Sequence, residues 1–263
     1  MQVRAGKKNT PFAKKCGKPI AFPGQTCYNG TKTETANDLS RKEGDGMSQT
    51  YILNKPAGCV TACRDGTYPT VMNCLPPDLA RNLHPIGRLD IDTGGLLLLT
   101  DDGILDQALL LPENHVEKEY FFYALGSLDK DKIAKIEEGC TLGKTDRRVS
   151  PAKIVPVGTF TVKEIEKYLP KARREKYMKN PDGPAFTARL IIKEGKHHQV
   201  KLMMRAVNCR VCSLFRVSFA GIPLDPALAP GEFRLLTEEE NAVLEEKKAA
   251  FLQAHPFVPY TKE

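Results

Sequence analysis

The apolar positions of this chain fall into short groups of differing spacing, not into one repeating pattern. Leu96, Leu97, Leu98 and Leu99 form a run closed by Thr93, Gly94 and Gly95 on one side and by Thr100, Asp101, Asp102 and Gly103 on the other. An apolar run this short, bounded by polar and small residues, predicts a strand buried on both faces, entered by a turn at 93–95. Residues 51–54 predict a first strand, and 116–125 alternate as another. Residues 185–193 and 214–219 read as two more, the second ending a β-rich stretch that starts at Val207. Helical spacing appears over 129–138, where Ile133 and Ile136 lie one turn apart, over 199–207, and over the short segment 103–111. Residues 69–75 predict a short helix that Pro76 and Pro77 end in a turn. Strands and short helices mixed without a regular βαβ alternation indicate an α+β fold.

Composition changes the picture at the ends of the chain. Residues 1–46 hold nine Lys or Arg against four Asp or Glu, with few aliphatics. Such a segment buries too little apolar surface to offset its ordering entropy, so it reads as a basic, disordered tail. The composition shifts abruptly at Met47, which is a candidate translation start. A basic RNA-binding arm is the functional alternative for the same residues. No apolar run approaches the roughly 20 residues of a membrane span. The first residues carry charge without an apolar stretch, so neither membrane insertion nor a secretory leader is expected. The net charge of +7 suits a polyanionic partner.

Residues 163–182 are locally basic, with seven Lys or Arg against four Asp or Glu and with Tyr168 and Tyr177 among them. They form either a solvated insertion or an RNA-contacting loop, and the interleaved aromatics favour contact. The eight cysteines include Cys209-Arg210-Val211-Cys212 and a looser pair, Cys59 and Cys63. Two pairs so far apart do not make a four-ligand zinc site, and reduced, structural thiols in a cytoplasmic protein are expected.

The candidate chemistry centres on residues 87–103, Gly-Arg-Leu-Asp-Ile-Asp-Thr-Gly-Gly followed by the leucines and Thr-Asp-Asp-Gly. Asp90 lies on a loop that enters a buried strand, where rigid backbone can hold a reactive acid toward solvent. By local pattern alone, Asp90 and Asp92 are also ordinary turn residues. Further blocks stand along the chain: Asn54-Lys55-Pro56-Ala57-Gly58, Glu117-Lys118-Glu119-Tyr120, residues 194–203 from Glu-Gly-Lys-His-His to Gln-Val-Lys-Leu-Met, and residues 224–240. Together, in this order, they resemble the RsuA-type pseudouridine synthases, a bacterial family that modifies ribosomal RNA. The resemblance covers residues 50–245.

The resemblance implies a fold and a mechanism. The fold would be a mixed, largely antiparallel sheet with flanking short helices and a central RNA-binding cleft. Residues 47–245 would be the catalytic domain, and 246–263 a helix end and tail. Asp90 would act on the target nucleotide, Tyr120 would stack on the uracil and move a proton, and Lys201 would be the cation that a carboxylate in a dry site requires. Taken singly, Lys201 also reads as a solvated helix residue and Tyr120 as a core residue. Arg88 would fill the space vacated by an extruded base. Lys118, Lys196, His198 and Gln199 would contact the substrate, His197 beside them, with no metal and no cofactor. Partners would be ribosomal RNA or a pre-ribosomal particle, met by a monomer in the cytoplasm.

The segments 197–201 and 224–240 look most like the branch that acts on the small subunit. Large-subunit RNA is the alternative substrate, and a non-catalytic RNA-binding protein on the same scaffold the alternative activity. A nucleoside hydrolase using Asp90 and Asp92 is the third reading, although residues two apart need not face the same way. Many family members carry an N-terminal RNA-binding module of the S4 type. Residues 1–46 show no basic-amphipathic helical pattern of that kind, which leaves the choice of RNA site open.

Overall fold

In the computed structural model the described residues are 48–142 and 148–256. The basic tail, the candidate start at Met47 and the last residues of the C-terminal tail lie outside them. In chain order the elements are β1 (Thr50–Lys55), a 3-10 turn (Val71–Cys74), α1 (Pro77–Ala80), β2 (His84–Pro85), β3 (Thr93–Thr100) and α2 (Gly103–Leu110). There follow β4 (Lys118–Leu125), α3 (Lys130–Glu137), β5 (Lys153–Thr161), a 3-10 turn (Glu166–Tyr168), α4 (Lys171–Tyr177) and β6 (Pro184–Ile192). The last are α5 (Gln199–Ala206), β7 (Arg210–Phe219), β8 (Ile222–Pro223), β9 (Phe233–Leu235) and α6 (Glu238–Ala254). The mixture is α+β, as the pattern predicts.

The chain divides into two units. The first ends at Asp101 and takes in Asp225–Leu235; the second holds Asp102–Leu224 and the residues from Leu236 onward. In the first, β1 lies between β3 and β9, and β2 pairs with β3. All these pairings are antiparallel, with Tyr51 opposite Leu99 and Lys55 opposite Gly95. Every residue of β1 and β3 is buried, which is why the four leucines show no alternation. Full burial of each such side chain contributes about 1.5–3 kcal/mol. Thr93, Gly94 and Gly95 are the first three residues of β3, not a turn before it. Gly95 has φ of 100°, a left-handed conformation that a side chain would strain. Segment 225–235 is tied back by Asn54, whose side-chain amide donates to the Leu228 carbonyl at 2.8 Å, and is braced within itself by the Arg234–Asp225 ion pair at 2.8 Å. The closing segment therefore delivers β9 to β1; the short partner of β7 is β8.

In the second unit the strand order is β5-β6-β4-β7, antiparallel throughout. Phe121 and Phe122 of β4 are fully buried, one on each face. The Asp102 side chain caps α2 by accepting from the Ile104 and Leu105 N–H groups. Thr237 and Glu240 form a reciprocal capping box at the start of α6. Lys248 of α6 then reaches Asp102 at 2.6 Å, joining the two helices by an ion pair. Pro77 starts α1 where the sequence suggested a chain-turning stop, because a proline at the first helical position lacks only an N–H that would be unsatisfied there.

Candidate active site

In the first unit the loop from Gly87 to Thr93 is held by its own backbone. Thr61 grips Leu89 twice: its hydroxyl donates to the Leu89 carbonyl at 2.8 Å and accepts from the Leu89 N–H at 3.1 Å. Gly58 donates its N–H to the Ile91 carbonyl at 2.6 Å, from a φ of 100°. The Thr93 N–H closes a turn onto the Asp90 carbonyl at 3.0 Å. Beneath the loop lies Lys55, 1% exposed, whose ammonium donates to the carbonyls of Pro56 (3.1 Å), Asp90 (3.1 Å) and Thr93 (2.8 Å). Burial lowers the Lys55 pKa, and the charges of Cys59, Asp92, Cys74 and Asp90 oppose that fall. The Asp90 side chain is half-buried, and Arg88 and Asp92 are exposed. The arrangement fixes the main chain of Asp90 while leaving its carboxylate accessible, as a preorganised acid requires.

Cys59 shares the Pro56 carbonyl with Lys55, donating to it at 3.3 Å. Its thiol is brought down to about 7, chiefly by a hydrogen bond with Cys74 and against the opposing effect of burial, with Lys55 adding to the fall. Cys59, Cys74, Cys140 and Cys209 are buried thiols and not part of a disulfide. Among the described residues no three His, Cys, Asp or Glu side chains are grouped so as to hold a metal ion.

The second unit carries the other expected residues. Tyr120 and Lys118 share one face of β4, two residues apart, and both are buried. Lys118 donates to the Val116 carbonyl at 3.0 Å and lies 5.3 Å from the Phe219 ring centroid. Desolvation, then the nearby Arg216 charge, lowers it to about 8. Arg216 stands directly opposite Tyr120 in the β4–β7 register and is 2% exposed. Its guanidinium hydrogen-bonds Tyr120 and lies 4.5 Å from the Phe219 ring centroid. Burial lowers the Arg216 pKa, and Tyr120 opposes the fall. An ammonium and a guanidinium thus meet a single aromatic ring, and the guanidinium also holds a phenol.

Lys201 is half-buried on α5. The loop before that helix is internally tied. The Lys196 N–H donates to Gln199 Oε1 at 2.8 Å, Gln199 Nε2 donates to Glu194 at 2.8 Å, and the Lys196 ammonium reaches Glu194 at 3.0 Å and the Arg148 carbonyl at 2.7 Å. Burial opposes ionisation of Glu194, but Lys196, the Ser150 N–H and Gln199 outweigh it and hold its pKa low. Gln199 is 3% exposed, so its amide works inside the loop. His198 stands at the N-terminal boundary of α5 with a left-handed φ of 54°, and its ring stacks on exposed His197 with centroids 3.8 Å apart.

The sequence reading missed Lys55, Thr61 and Arg216. Lys55 had a signal, a lone charge ending an apolar strand and followed by proline; Thr61 and Arg216 had none.

The chain matches the family model described as RNA pseudouridylate synthase over residues 49–206. It is 39% identical over 199 residues to an uncharacterised RNA pseudouridine synthase of Bacillus subtilis (strain 168), covering 75% of this chain and 74% of that protein. It is 36% identical over 206 residues to the ribosomal small subunit pseudouridine synthase A of Salmonella typhimurium, covering 78% and 77%. A solved structure, a crystal structure of a pseudouridylate synthase, superposes with a TM-score of 0.62 at 33% identity over 75% of this chain and 74% of that one.

Proposed function

The chain belongs to the RNA pseudouridylate synthase family, and from that premise we propose that it converts a uridine of small-subunit ribosomal RNA to pseudouridine. It is an RNA pseudouridine synthase, an isomerase. The reaction breaks the bond from uracil N1 to ribose C1′ and forms one from C5 to C1′. C5 gives up a proton and N1 gains one, so atoms and electrons balance without a cofactor.

Asp90 is the residue that acts on the nucleotide, and the clamp on its backbone is the observation that carries this reading. Lys55, Thr61, Gly58 and Thr93 together satisfy the polar main-chain groups around it, so the carboxylate starts from one fixed Cα. Tyr120 is the stacking and proton-moving residue, and Lys201 the basic residue of the family pattern. Arg88, exposed beside Asp90, supplies a planar guanidinium to an opened stack. Lys196 and His198 are exposed to the substrate, while buried Lys118 and Gln199 act from beneath, Gln199 with Lys196 by fixing their own loop. The likeness of residues 197–201 and 224–240 to the small-subunit branch supports the choice of RNA. The enzyme acts as a monomer in the cytoplasm, on ribosomal RNA free or within an assembling particle.

The test is to map modified uridines in ribosomal RNA from cells with and without the protein, and then with Asp90→Asn. One small-subunit position should lose its modification in both deficient strains, while purified Asp90→Asn still binds RNA. Turnover by Asp90→Asn removes Asp90 from its role. Release of free uracil would make the enzyme a hydrolase, and loss of a large-subunit position would change the substrate.

A further inference from the structure

Residues 163–182 join β5 to β6, and their two sides are chemically opposite. The inner side is apolar, with Ile165, Leu169 and Tyr177 buried and Val162 buried just before them. Tyr168 stacks on Tyr123 of β4, with centroids 3.8 Å apart and ring planes 15° from parallel. Its carbonyl accepts a hydrogen bond from the Ser213 hydroxyl on β7. The base of the segment is closed by Val162 N–H to Gly183 carbonyl at 3.0 Å and Lys163 N–H to Pro181 carbonyl at 2.9 Å. The outer side presents Lys163, Lys167, Lys171, Arg173, Lys176 and Lys179, all exposed. Of the acidic residues, Glu164 is engaged locally, accepting from the Thr161 N–H at 2.7 Å and the Thr161 hydroxyl at 2.9 Å.

This anchoring separates the segment from an ordinary solvated charge run. A polyanion that binds here orders side chains but not the loop itself, because the backbone is already fixed. The structure also changes the mode of contact that the interleaved tyrosines suggested. Tyr177 is buried, and Tyr168 has Tyr123 stacked on it and the Lys167 ammonium 4.8 Å from its ring centroid. Neither ring is left as a platform for a base, so the exposed cations carry the contact. Cations without base-edge or stacking groups recognise phosphate, not sequence.

We propose that the outer face of residues 163–179, centred on Lys171, Arg173 and Lys176 of α4, binds the phosphate backbone of structured RNA without reading its sequence. The proposal rests on the functional reading above in that RNA is the polyanion. It adds a second contact that raises the residence of the enzyme on a long RNA and leaves the chemical step alone.

The test uses the full chain carrying Lys171→Glu, Arg173→Glu and Lys176→Glu together. Two probes are compared, a small-subunit ribosomal RNA transcript and an unrelated structured transcript of equal length. The triple variant should bind both more weakly by the same factor, about tenfold or more at low salt, with the slope of log K against log salt reduced by about 2–3. Its kcat at saturating RNA should stay unchanged. A second variant, Tyr168→Ala, keeps every cation but removes the anchor, and should also bind more weakly. Unchanged affinity and slope overturn the proposal, as does an effect confined to one transcript, or a loss seen only toward ribosomal proteins. Binding is measured in the Asp90→Asn background as well. Failure of the catalytic reading then shows as product formed by Asp90→Asn, or none formed by the unaltered chain, with normal binding by this face, and failure of the proposal as unaltered binding by the triple variant.

Discussion

Tyr120 and Arg216 face each other as direct register partners across β4 and β7, the buried guanidinium hydrogen-bonded to the phenol and the Phe219 ring against that guanidinium. A charged donor fixes the position and orientation of the phenol oxygen. Arg216→Met should therefore lower kcat by about tenfold to a hundredfold with little change in KM. Arg216→Lys should recover part of the loss by restoring a cation. Release of tritium from C5-labelled uridine in RNA reads the step directly. A loss confined to KM, or none, would remove Arg216 from any role in positioning Tyr120.

Lys55→Met would take a donor from three carbonyls at once, including that of Asp90. Each buried acceptor left without a partner costs about 1–3 kcal/mol. The expected outcome is a lower melting temperature together with a fall in kcat larger than the loss of folded protein explains. Thermal unfolding and product formation, measured on the same preparation, separate the two. Full kcat in the folded fraction would show that the loop holds Asp90 without this lysine.

Lys118 is lowered to about 8, first by desolvation and then by Arg216, from an ordinary value of 10.5. Below pH 8 both the folded and the unfolded chain hold the proton, and the buried charge exerts its full penalty on the fold. As pH rises from 8 toward 10.5 the folded state loses the proton first, so this penalty fades. The wild-type chain should therefore gain stability from this residue over that window. In Lys118→Met the corresponding rise should be missing, as denaturant titrations at successive pH values can show. Equal pH slopes in the two proteins would contradict the assignment.

Asp102 caps α2 and pairs with Lys248 of α6. Burial pushes its pKa up, but Lys248 and the Leu105 and Ile104 N–H groups outweigh this and leave it lowered. Its contribution is present above the ordinary carboxylate range and is lost as pH falls through the lowered value. Asp102→Ala should destabilise by about 0.5–2 kcal/mol through the lost cap, more if the α6 contact loosens with it. Lys248→Met should keep the cap and cost less. A comparable loss in both variants would mean that the ion pair, and not the cap, carries the stability.

The main strands and the helices α2, α3 and α5 were legible because their residues are dominated by one local signal. Leu96–Leu99 could only be a buried strand, and Ile133 and Ile136 only one helix face. β5 escaped because Pro156 and Gly158 interrupt it at a bulge and most of its residues are exposed, which erases alternation. Thr93–Gly95 looked like a turn because small residues usually mark one; here they begin β3, with Gly95 directly opposite Lys55. Asp90 was visible through the order of several motifs. Lys55 and Arg216 were not, since their importance lies in which carbonyl or ring they meet after folding. Tyr168 and Tyr177 were seen but misassigned, because sequence cannot tell an anchor ring from an offered one.

The Lys55 ammonium divides its donors among three carbonyls, and an uncharged amine has one N–H too few for that. Loss of a single proton from a residue that solvent scarcely touches leaves one of these carbonyls without its donor. The enzyme thereby carries an alkaline limit that belongs to its scaffold: raising the pH far enough disarms the acid by slackening what holds it.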